Sequence, residues 1–318
     1  MSFPALHDSA WRVVLEASAM AAGLERDGRF SAFGLDEDAH LRPVPADHAG
    51  AVLEWRPGSG WRSRLASEDP GYASVDLYLP MCSATPARPM TIGHLGQSLD
   101  GFIATHSGDS QFVTGQANIL HLHRMRALCD AVVVGAGTVA ADDPQLTTRH
   151  VAGPSPLRVV FDPARRLAQT YRVFNDDAAP TLYLCARSLV HPGETQMGCA
   201  SILGLEGDGP GGDVGQVLTI LRERGCSRIF VEGGGVTVSA FLEANLLDRL
   251  QVAVAPLLIG DGRPAVRLAS QANLRDCRRP RYRVFRMGGD VLFDCELNAQ
   301  MDPAESAAAD ALPVARII

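Results

Sequence analysis

The chain has 318 residues, enough for two packed domains at roughly 100–200 residues each, and 46% hydrophobic and 20% charged residues with near-zero mean hydropathy describe a globular protein, too apolar for a disordered chain. A formal net charge of −7 argues against nucleic-acid affinity from bulk charge; the complete absence of lysine, all 29 cations being arginine, removes the amine central to Schiff-base and pyridoxal enzymes, Walker-A NTPases and protein kinases. Seven cysteines without any C-x-x-C pair exclude zinc ribbons, thioredoxin-type motifs and the zinc-deaminase pattern, so no metal is expected, and apolar-flanked thiols read as reduced core residues of a cytoplasmic protein.

In chain order, Asp8 or Ser9 can cap a helix carrying Trp11, Val14, Leu15, Ala19 and Ala22 at i, i+3/i+4 spacing. Residues 51–55 and 61–65 flank Pro57-Gly58-Ser59-Gly60 and predict a hairpin; residues 76–79 read as one more short strand. Residues 1–85 thus form a small α+β domain without a recognisable catalytic constellation. The stretch from Cys82 to Pro89 reads as a linker. From Met90, strands are predicted near 90–96, 131–135, 157–162, 181–185, 228–231, 249–255, 281–286 and 291–297, and helices near 115–128, 137–142, 213–224 and 235–245. Alternating apolar runs and helices imply an α/β domain over 86–300 with a mostly parallel sheet, closed by an antiparallel C-terminal hairpin. A tail follows over 301–318. The N-terminus lacks a leader pattern, and the longest nearly apolar stretch, residues 131–141, is about half a membrane span, so no membrane partner is expected.

Strand residues 228–231 run into Glu232-Gly233-Gly234-Gly235 at the head of a helix. Such a turn lets phosphate oxygens approach backbone N–H groups at a positive dipole end, or it needs glycine for sterics alone. A second turn, Gly135-Ala136-Gly137-Thr138, follows residues 132–134, and two glycine-opened helices in one sheet suit a ligand across the strand ends. Neither turn is G-x-G-x-x-G with a following acidic residue, so a standard Rossmann domain is not supported. Asp100, Asp142, Asp143 and Glu232 stand at the ends of separate elements, where they can converge on one crevice to bind or exchange protons, or serve singly as turn and surface residues. His121 and His123, two apart on one helix, point to different faces, one toward the core and one toward solvent, which disfavours metal binding. The arginines at 275, 278, 279, 281, 283 and 286 read as a solvated sheet edge with Tyr282 and Val284 inward.

Six segments in this order and spacing carry a resemblance: Ser98-Leu99-Asp100-Gly101-Phe102-Ile103-Ala104-Thr105, Gly108-Asp109-Ser110-Gln111-Phe112-Val113-Thr114-Gly115, His123-Arg124-Met125-Arg126-Ala127, Gly135-Ala136-Gly137-Thr138, Asp142-Asp143-Pro144-Gln145-Leu146-Thr147-Thr148-Arg149 and Val231-Glu232-Gly233-Gly234. Residues from Pro89 to about Leu297 resemble the riboflavin-biosynthesis pyrimidine reductase domain, the C-terminal half of a bifunctional deaminase/reductase with a dihydrofolate-reductase-like fold. The deaminase half is replaced by the first 85 residues. The resemblance implies NADPH as cofactor, a phosphorylated aminopyrimidine as substrate, hydride transfer to its ring-opened ribosylamino side chain, and a homodimer. It puts Gly96, Phe112, Thr138, Asp142, Gly234, Gly235, Val236 and Thr237 on cofactor positions, and Ser110, Arg126, Leu146, Arg149 and Glu232 on substrate positions, with Arg126 and Arg149 able to clamp a phosphate. Arg165 or Arg166 could face the adenosine 2′-phosphate, or both are solvated loop charges. His94 stands where the family commonly has lysine, and Phe112 where tryptophan is common. With Asp142 and Glu232 orienting the reactants, His94 is the expected proton donor, its pKa raised by Asp100 or Asp142.

Overall fold

The computed structural model describes residues 3–111, 113–207 and 213–300; the expected tail and Phe112 lie outside them. The N-terminal unit opens with α1 (Phe3–Asp27), which begins before the cap expected at Asp8 or Ser9. Its buried stripe is Ala10, Val13, Val14, Ala17 and Ala21, the 3.6-residue period of a helix with one covered face. Strands β1 (Ser31–Leu35), β2 (Leu41–Val44), β3 (Leu53–Arg56) and β4 (Gly60–Ser63) form an antiparallel sheet in the order β2-β1-β3-β4. The expected hairpin is β3–β4. Its turn places Gly58 and Gly60 at φ +73° and +91°, and Trp55 meets Trp61 across it edge to face at 5.3 Å.

Residues 76–79 are not a strand. They belong to helix α2 (Tyr72–Cys82), which buries Val75, Leu77, Tyr78, Leu79, Met81 and Cys82 between α1 and the large sheet. A short run that is apolar on every side has no period to separate helix from strand. Beyond α2, Ser83, Ala84 and Thr85 are buried and Thr85 and Arg88 close a turn by mutual backbone bonds.

The rest of the chain builds one sheet. β5 (Met90–Ser98) and β6 (Phe102–Thr105) precede α3 (Gln116–Leu128); β7 (Ala131–Gly135) runs into α4 (Ala136–Asp142); β8 (Leu157–Phe161), β9 (Thr181–Ala186), β10 (Gln196–Met197) and β11 (Ala200–Leu205) lead to α5 (Val214–Glu223). Then come β12 (Arg228–Glu232), α6 (Gly235–Glu243), β13 (Arg249–Ala255), β14 (Gly262–Pro264), β15 (Pro280–Met287) and β16 (Asp290–Gln300). The ten-stranded order is β10-β11-β9-β8-β7-β12-β5-β13-β16-β15. Pairs from β11 to β13 are parallel and the C-terminal hairpin is antiparallel, as expected. Short β14 pairs antiparallel with β6 beside this sheet.

Alternation assigns the two faces. On β7, Val132 and Val134 pack with Ile92, Phe230 and the helices α1 and α2, while Ala131 and Val133 pack with Ile229, Val231, Val238 and Phe241 on the other side, as the period of two requires. The N-terminal unit therefore shares a continuous core with one face of the sheet. Further ties are Trp11 Nε1 donating to Ala152 O at 2.9 Å and Arg228 reaching Ser18.

The pleat of β15 runs opposite to expectation. Arg283 turns inward to Asp294 (2.6 Å) and Asp76 (2.9 Å), and Tyr282 is 55% exposed. A buried carboxylate on β16 and the acidic residue of α2 attract the guanidinium inward, overriding side-chain hydrophobicity. The described cysteines are all free thiols. Among the described residues no helix is long and apolar enough to cross a membrane, and no group of three His, Cys, Asp or Glu could hold a metal ion.

Candidate active site

A cleft of about 610 Å³ opens at the carboxyl ends of β5, β7 and β12, between the heads of α4 and α6 and beneath the β6–β14 pair. Its size suits a cofactor or small ligand, and strand carboxyl ends are where α/β sheets bind them. The lining includes His94, Gly96, Ser110, Thr138, Asp142, Arg166, Glu232 and the turn from Gly233 to Thr237. Eleven of the sequence-derived candidates thus meet here. Arg126 stands directly behind the wall, paired to Glu232, while Leu146, Arg149 and Arg165 are absent from the lining and Phe112 lies outside the described residues.

The two glycine turns are tied to each other. Gly234 N donates to Thr138 Oγ1 at 2.9 Å, and Gly233, at φ +83°, would bring a Cβ within 2.9 Å of Thr138. Gly235 is packed against the carbonyls of Pro264 and Ala265, its would-be Cβ 2.4 Å from an oxygen, so sterics alone demand glycine there. Gly137 instead faces open space. Sterics and ligand access each explain part of the pattern. The first N–H groups of α6 have no intrahelical acceptors, Val236 beside them is 68% exposed, and this end of a nine-residue helix can accept an anion. The site's residues therefore fit a dinucleotide.

Glu232 ends β12 and faces Arg126 from the last turn of α3. Arg126 Nε donates to Glu232 Oε2 at 2.8 Å, Nη2 donates to Oε1, and Nη1 reaches Thr147 O at 3.3 Å. Both side chains are about nine-tenths buried. With its donors committed, Arg126 is not free to clamp a phosphate as expected; it holds the carboxylate. Arg149 is exposed, its Nη1 on Thr147 Oγ1 at 2.7 Å. Partial burial and the like charges of Arg126 and Arg172 lower its pKa, a local excess of positive charge that a phosphate would relieve. Leu146 is buried at φ +57°, a conformation that is uncommon outside glycine; it bends the chain so that Thr147 O meets Arg126.

His94 differs from its expected role. It is 2% exposed, its Nε2 lies 3.0 Å from Asn118 Oδ1, and burial lowers its pKa to about 4, with Glu232 and the Asn118 bond opposing only in part. The ring is neutral at physiological pH and cannot supply a proton as imidazolium. Neither aspartate expected to raise its pKa does so. Asp100 is turned away, accepting from Ser98 Oγ (2.5 Å), Ile259 N (3.1 Å) and Gly260 N (2.7 Å), which holds its carboxyl low, at about 2. Asp142 accepts from Ser110 Oγ at 3.0 Å. His121 and His123 are both buried, against the expectation of one in solvent; His123 Nδ1 accepts from Arg149 N at 3.0 Å.

The two arginines separate cleanly. Arg165 donates to both oxygens of Glu194 and to Leu189 O, away from the cleft, whereas Arg166 lines the cleft with a side chain 72% exposed and 3.9 Å from Asp162. Sequence reasoning missed Thr114, Asn118 and Arg263, which also line the cleft. Arg263 arrives on β14, whose pairing with β6 spans more than 150 residues; the turn-rich Gly260-Asp261-Gly262 before it was the available signal.

Residues 89–288 match the family model described as the RibD C-terminal domain. The chain belongs to that family, a class of reductase domains on a dihydrofolate-reductase-like sheet. Over 214 residues it is 31% identical to the 2,5-diamino-6-ribosylamino-4(3H)-pyrimidinone 5′-phosphate reductase of Methanothermobacter thermautotrophicus, covering 65% of this chain and 97% of that one. It is 38% identical over 167 residues to the riboflavin biosynthesis protein RibD of Bacillus amyloliquefaciens, 51% of this chain and 44% of that protein. A solved diaminohydroxyphosphoribosylaminopyrimidine deaminase/5-amino-6-(5-phosphoribosylamino)uracil reductase from Thermotoga maritima superposes with a TM-score of 0.57 at 26% identity, over 72% of this chain and 62% of that one. These relatives are pyrimidine-reductase and riboflavin-biosynthesis proteins, and a reductase family implies a nicotinamide cofactor.

Proposed function

We propose that this protein is an NADPH-dependent reductase that converts the ribosylamino side chain of a phosphorylated aminopyrimidine to its ribitylamino form in riboflavin biosynthesis. The reading rests on one observation above all: Glu232, held from behind by Arg126, and the glycine-opened head of α6 face one cleft, in a chain that matches a pyrimidine reductase over almost that protein's whole length. Bound NADPH would supply the hydride. The chain's own residues would do the rest. Thr138, the turn from Gly234 to Thr237 and Gly96 would hold the dinucleotide, and Ser110 with Asp142 would border the nicotinamide end. Glu232, held by Arg126, would accept from substrate donors, and Arg149 would attract its phosphate. Neutral His94 would shape the wall and offer hydrogen bonds, leaving the proton to come from solvent or substrate. We further infer a cytoplasmic homodimer; light scattering of the purified protein at twice the chain mass is the expected result.

The test is NADPH oxidation against 2,5-diamino-6-ribosylamino-4(3H)-pyrimidinone 5′-phosphate and 5-amino-6-(5-phosphoribosylamino)uracil, followed at the reduced-nicotinamide absorbance. Substrate-dependent oxidation with one of them is expected. Oxidation only with pterins or other aminopyrimidines would transfer the activity to a related metabolite, a reading to which histidine in place of the usual lysine points. Tight NADPH binding without turnover on any of them would make the protein a binding module.

Cofactor choice gives a second expected result. A charge-assisted hydrogen bond to phosphate is worth about 1.5–3 kcal/mol, so Arg166→Ala should weaken NADPH about 10–100-fold with NADH unchanged. Arg165→Ala, which breaks the Glu194 pair and the bond to Leu189 O outside the cleft, should leave the NADPH-to-NADH ratio of dissociation constants where it was. Titration calorimetry with both nucleotides checks this; an unchanged ratio in Arg166→Ala would remove Arg166 from the cofactor site.

A further inference from the structure

We propose that Tyr78, contributed by α2 of the N-terminal unit, is a positioning residue for the cleft: it completes a buried hydrogen-bond relay that holds His121 in one tautomer and, against it, the wall residue His94 in one orientation. The relay can be read from its far end. Asp294 is fully buried and takes bonds from Arg249 (3.1 and 2.7 Å) and Arg283 (2.6 Å), so it is a carboxylate and only accepts. Gln251 must then turn its amide NH2 to Asp294, at 3.3 Å, and its Oε1 to His121 Nε2, at 2.8 Å. His121 therefore carries its proton on Nε2. Its bare Nδ1 is left to accept from Tyr78 Oη at 2.9 Å. Burial raises the Tyr78 pKa to about 12, so the hydroxyl keeps the proton it donates.

The other end of the relay is the cleft. The His121 ring lies between Tyr78, stacked at 5.5 Å, and His94, tilted at 5.3 Å. His94 in turn meets Asn118 Oδ1, and Asn118 Nδ2 donates to Thr114 Oγ1 at 2.9 Å. His121 and Asn118 sit three apart on one face of α3, so the helix presents both to His94, Asn118 by its hydrogen bond and His121 by its ring. The charged groups around the imidazole pair are Arg124, whose guanidinium covers the Tyr78 ring at 5.8 Å, with Asp294 and Glu232. Reversing the His121 tautomer would set a bare Nε2 against Gln251 Oε1, acceptor against acceptor, and would turn Nδ1–H toward the Tyr78 hydroxyl, taking away the acceptor of its proton. Each buried mismatch costs about 1–3 kcal/mol, enough to keep one tautomer dominant. The N-terminal unit thus contacts His121 directly through the Tyr78 hydroxyl and ring, and meets the far end of the relay where Asp76 pairs with Arg283.

The functional arm of this inference rests on the reductase reading; the structural arm does not. In the ¹⁵N imidazole spectrum of the full chain, His121 should be neutral and Nε2-protonated from pH 5 to 8, with a hydrogen-bonded Nδ1. Tyr78→Phe, which keeps the ring, should move the His121 Nδ1 and the His94 resonances toward those of unbonded rings, while Tyr282→Phe on the exposed edge should move neither. Tyr78→Phe should lower kcat about tenfold through misplacement of the wall, with KM and the NADPH dissociation constant within about twofold. A wild-type His121 that is Nδ1-protonated, or that titrates near pH 6.5, overturns the proposal, and this measurement decides it if the variant does not fold. Unmoved His94 resonances or an unchanged kcat in a folded Tyr78→Phe overturn the positioning role. Absence of turnover in the wild-type chain counts against the reductase reading alone, since the spectra still decide the relay.

Discussion

Glu232→Gln is expected to destabilise the protein by about 3–5 kcal/mol and to lower substrate-dependent NADPH oxidation by at least about 10²-fold. The two effects have one origin. Arg126 is buried with its Nε and Nη2 on Glu232 and Nη1 on a backbone carbonyl, so the neutral amide leaves a guanidinium out of water without its counter-charge and turns an NH2 group toward its donors. An intact buried pair is a different matter, because desolvating both ions offsets most of their attraction, and apolar replacements of similar volume are often neutral. Arg126→Met with Glu232→Leu should therefore recover most of the lost stability in urea titrations. It should recover none of the activity. A Glu232→Gln variant as stable as the wild type would contradict the burial argument, and full turnover in either variant would show that the carboxylate serves the fold alone.

Acid should unfold this protein well above the usual carboxylate range. Burial lowers the pKa of His94 to about 4 and of His121 to about 3, and that of His123 to about 4, against about 6.5 in an unfolded chain. Between pH 6.5 and 4 the unfolded chain takes up protons that the folded one refuses. Stability contributed by the neutral rings is then complete above about pH 7 and is lost as pH falls through that window. Two fully buried histidines give a slope approaching about 3 kcal/mol per pH unit, and His123 adds to it. Urea titrations at pH 7.5, 6.5, 5.5 and 4.5 should show a flat limb and then a steep loss; equal stability at 7.5 and 5.0 would contradict it. His94→Gln, which can still donate to Asn118, should reduce the slope by about one proton. The same neutrality removes His94 from any pH dependence of turnover between pH 6 and 8.

Much of the large sheet was legible because its signals are local. Apolar runs such as Ala131–Gly135 and Arg228–Glu232, each leading into a glycine turn and a helix, announce strand and crossover within about 20 residues, and the β15–β16 hairpin is equally local. Strands β6, β10 and β14 were missed because each is short, two to four residues, and defined mainly by a partner; β11, six residues long, was missed as well. For the site, the convergence of Glu232, Asp142, Thr138 and Gly234 was readable from their common place at strand and helix ends, where parallel topology brings them together.

By itself, then, the sequence determined the alternation that makes a mostly parallel α/β sheet, the glycine turns at its carboxyl ends, the exclusion of lysine-dependent chemistry, and the six segments that mark the family. Only the tertiary structure decided that residues 76–79 are helical and share the sheet's core, that Arg283 points inward, that Arg126 answers Glu232 rather than a free phosphate, that Arg166 and not Arg165 meets the cleft, and that His94 is neutral. The physical reason is common to these. A side chain's charge state and free hydrogen-bonding capacity depend on burial and on partners far away in sequence, 106 residues for Arg126 and Glu232 and 130 for His121 and Gln251, whereas periodicity reports only which way a residue faces within its own element.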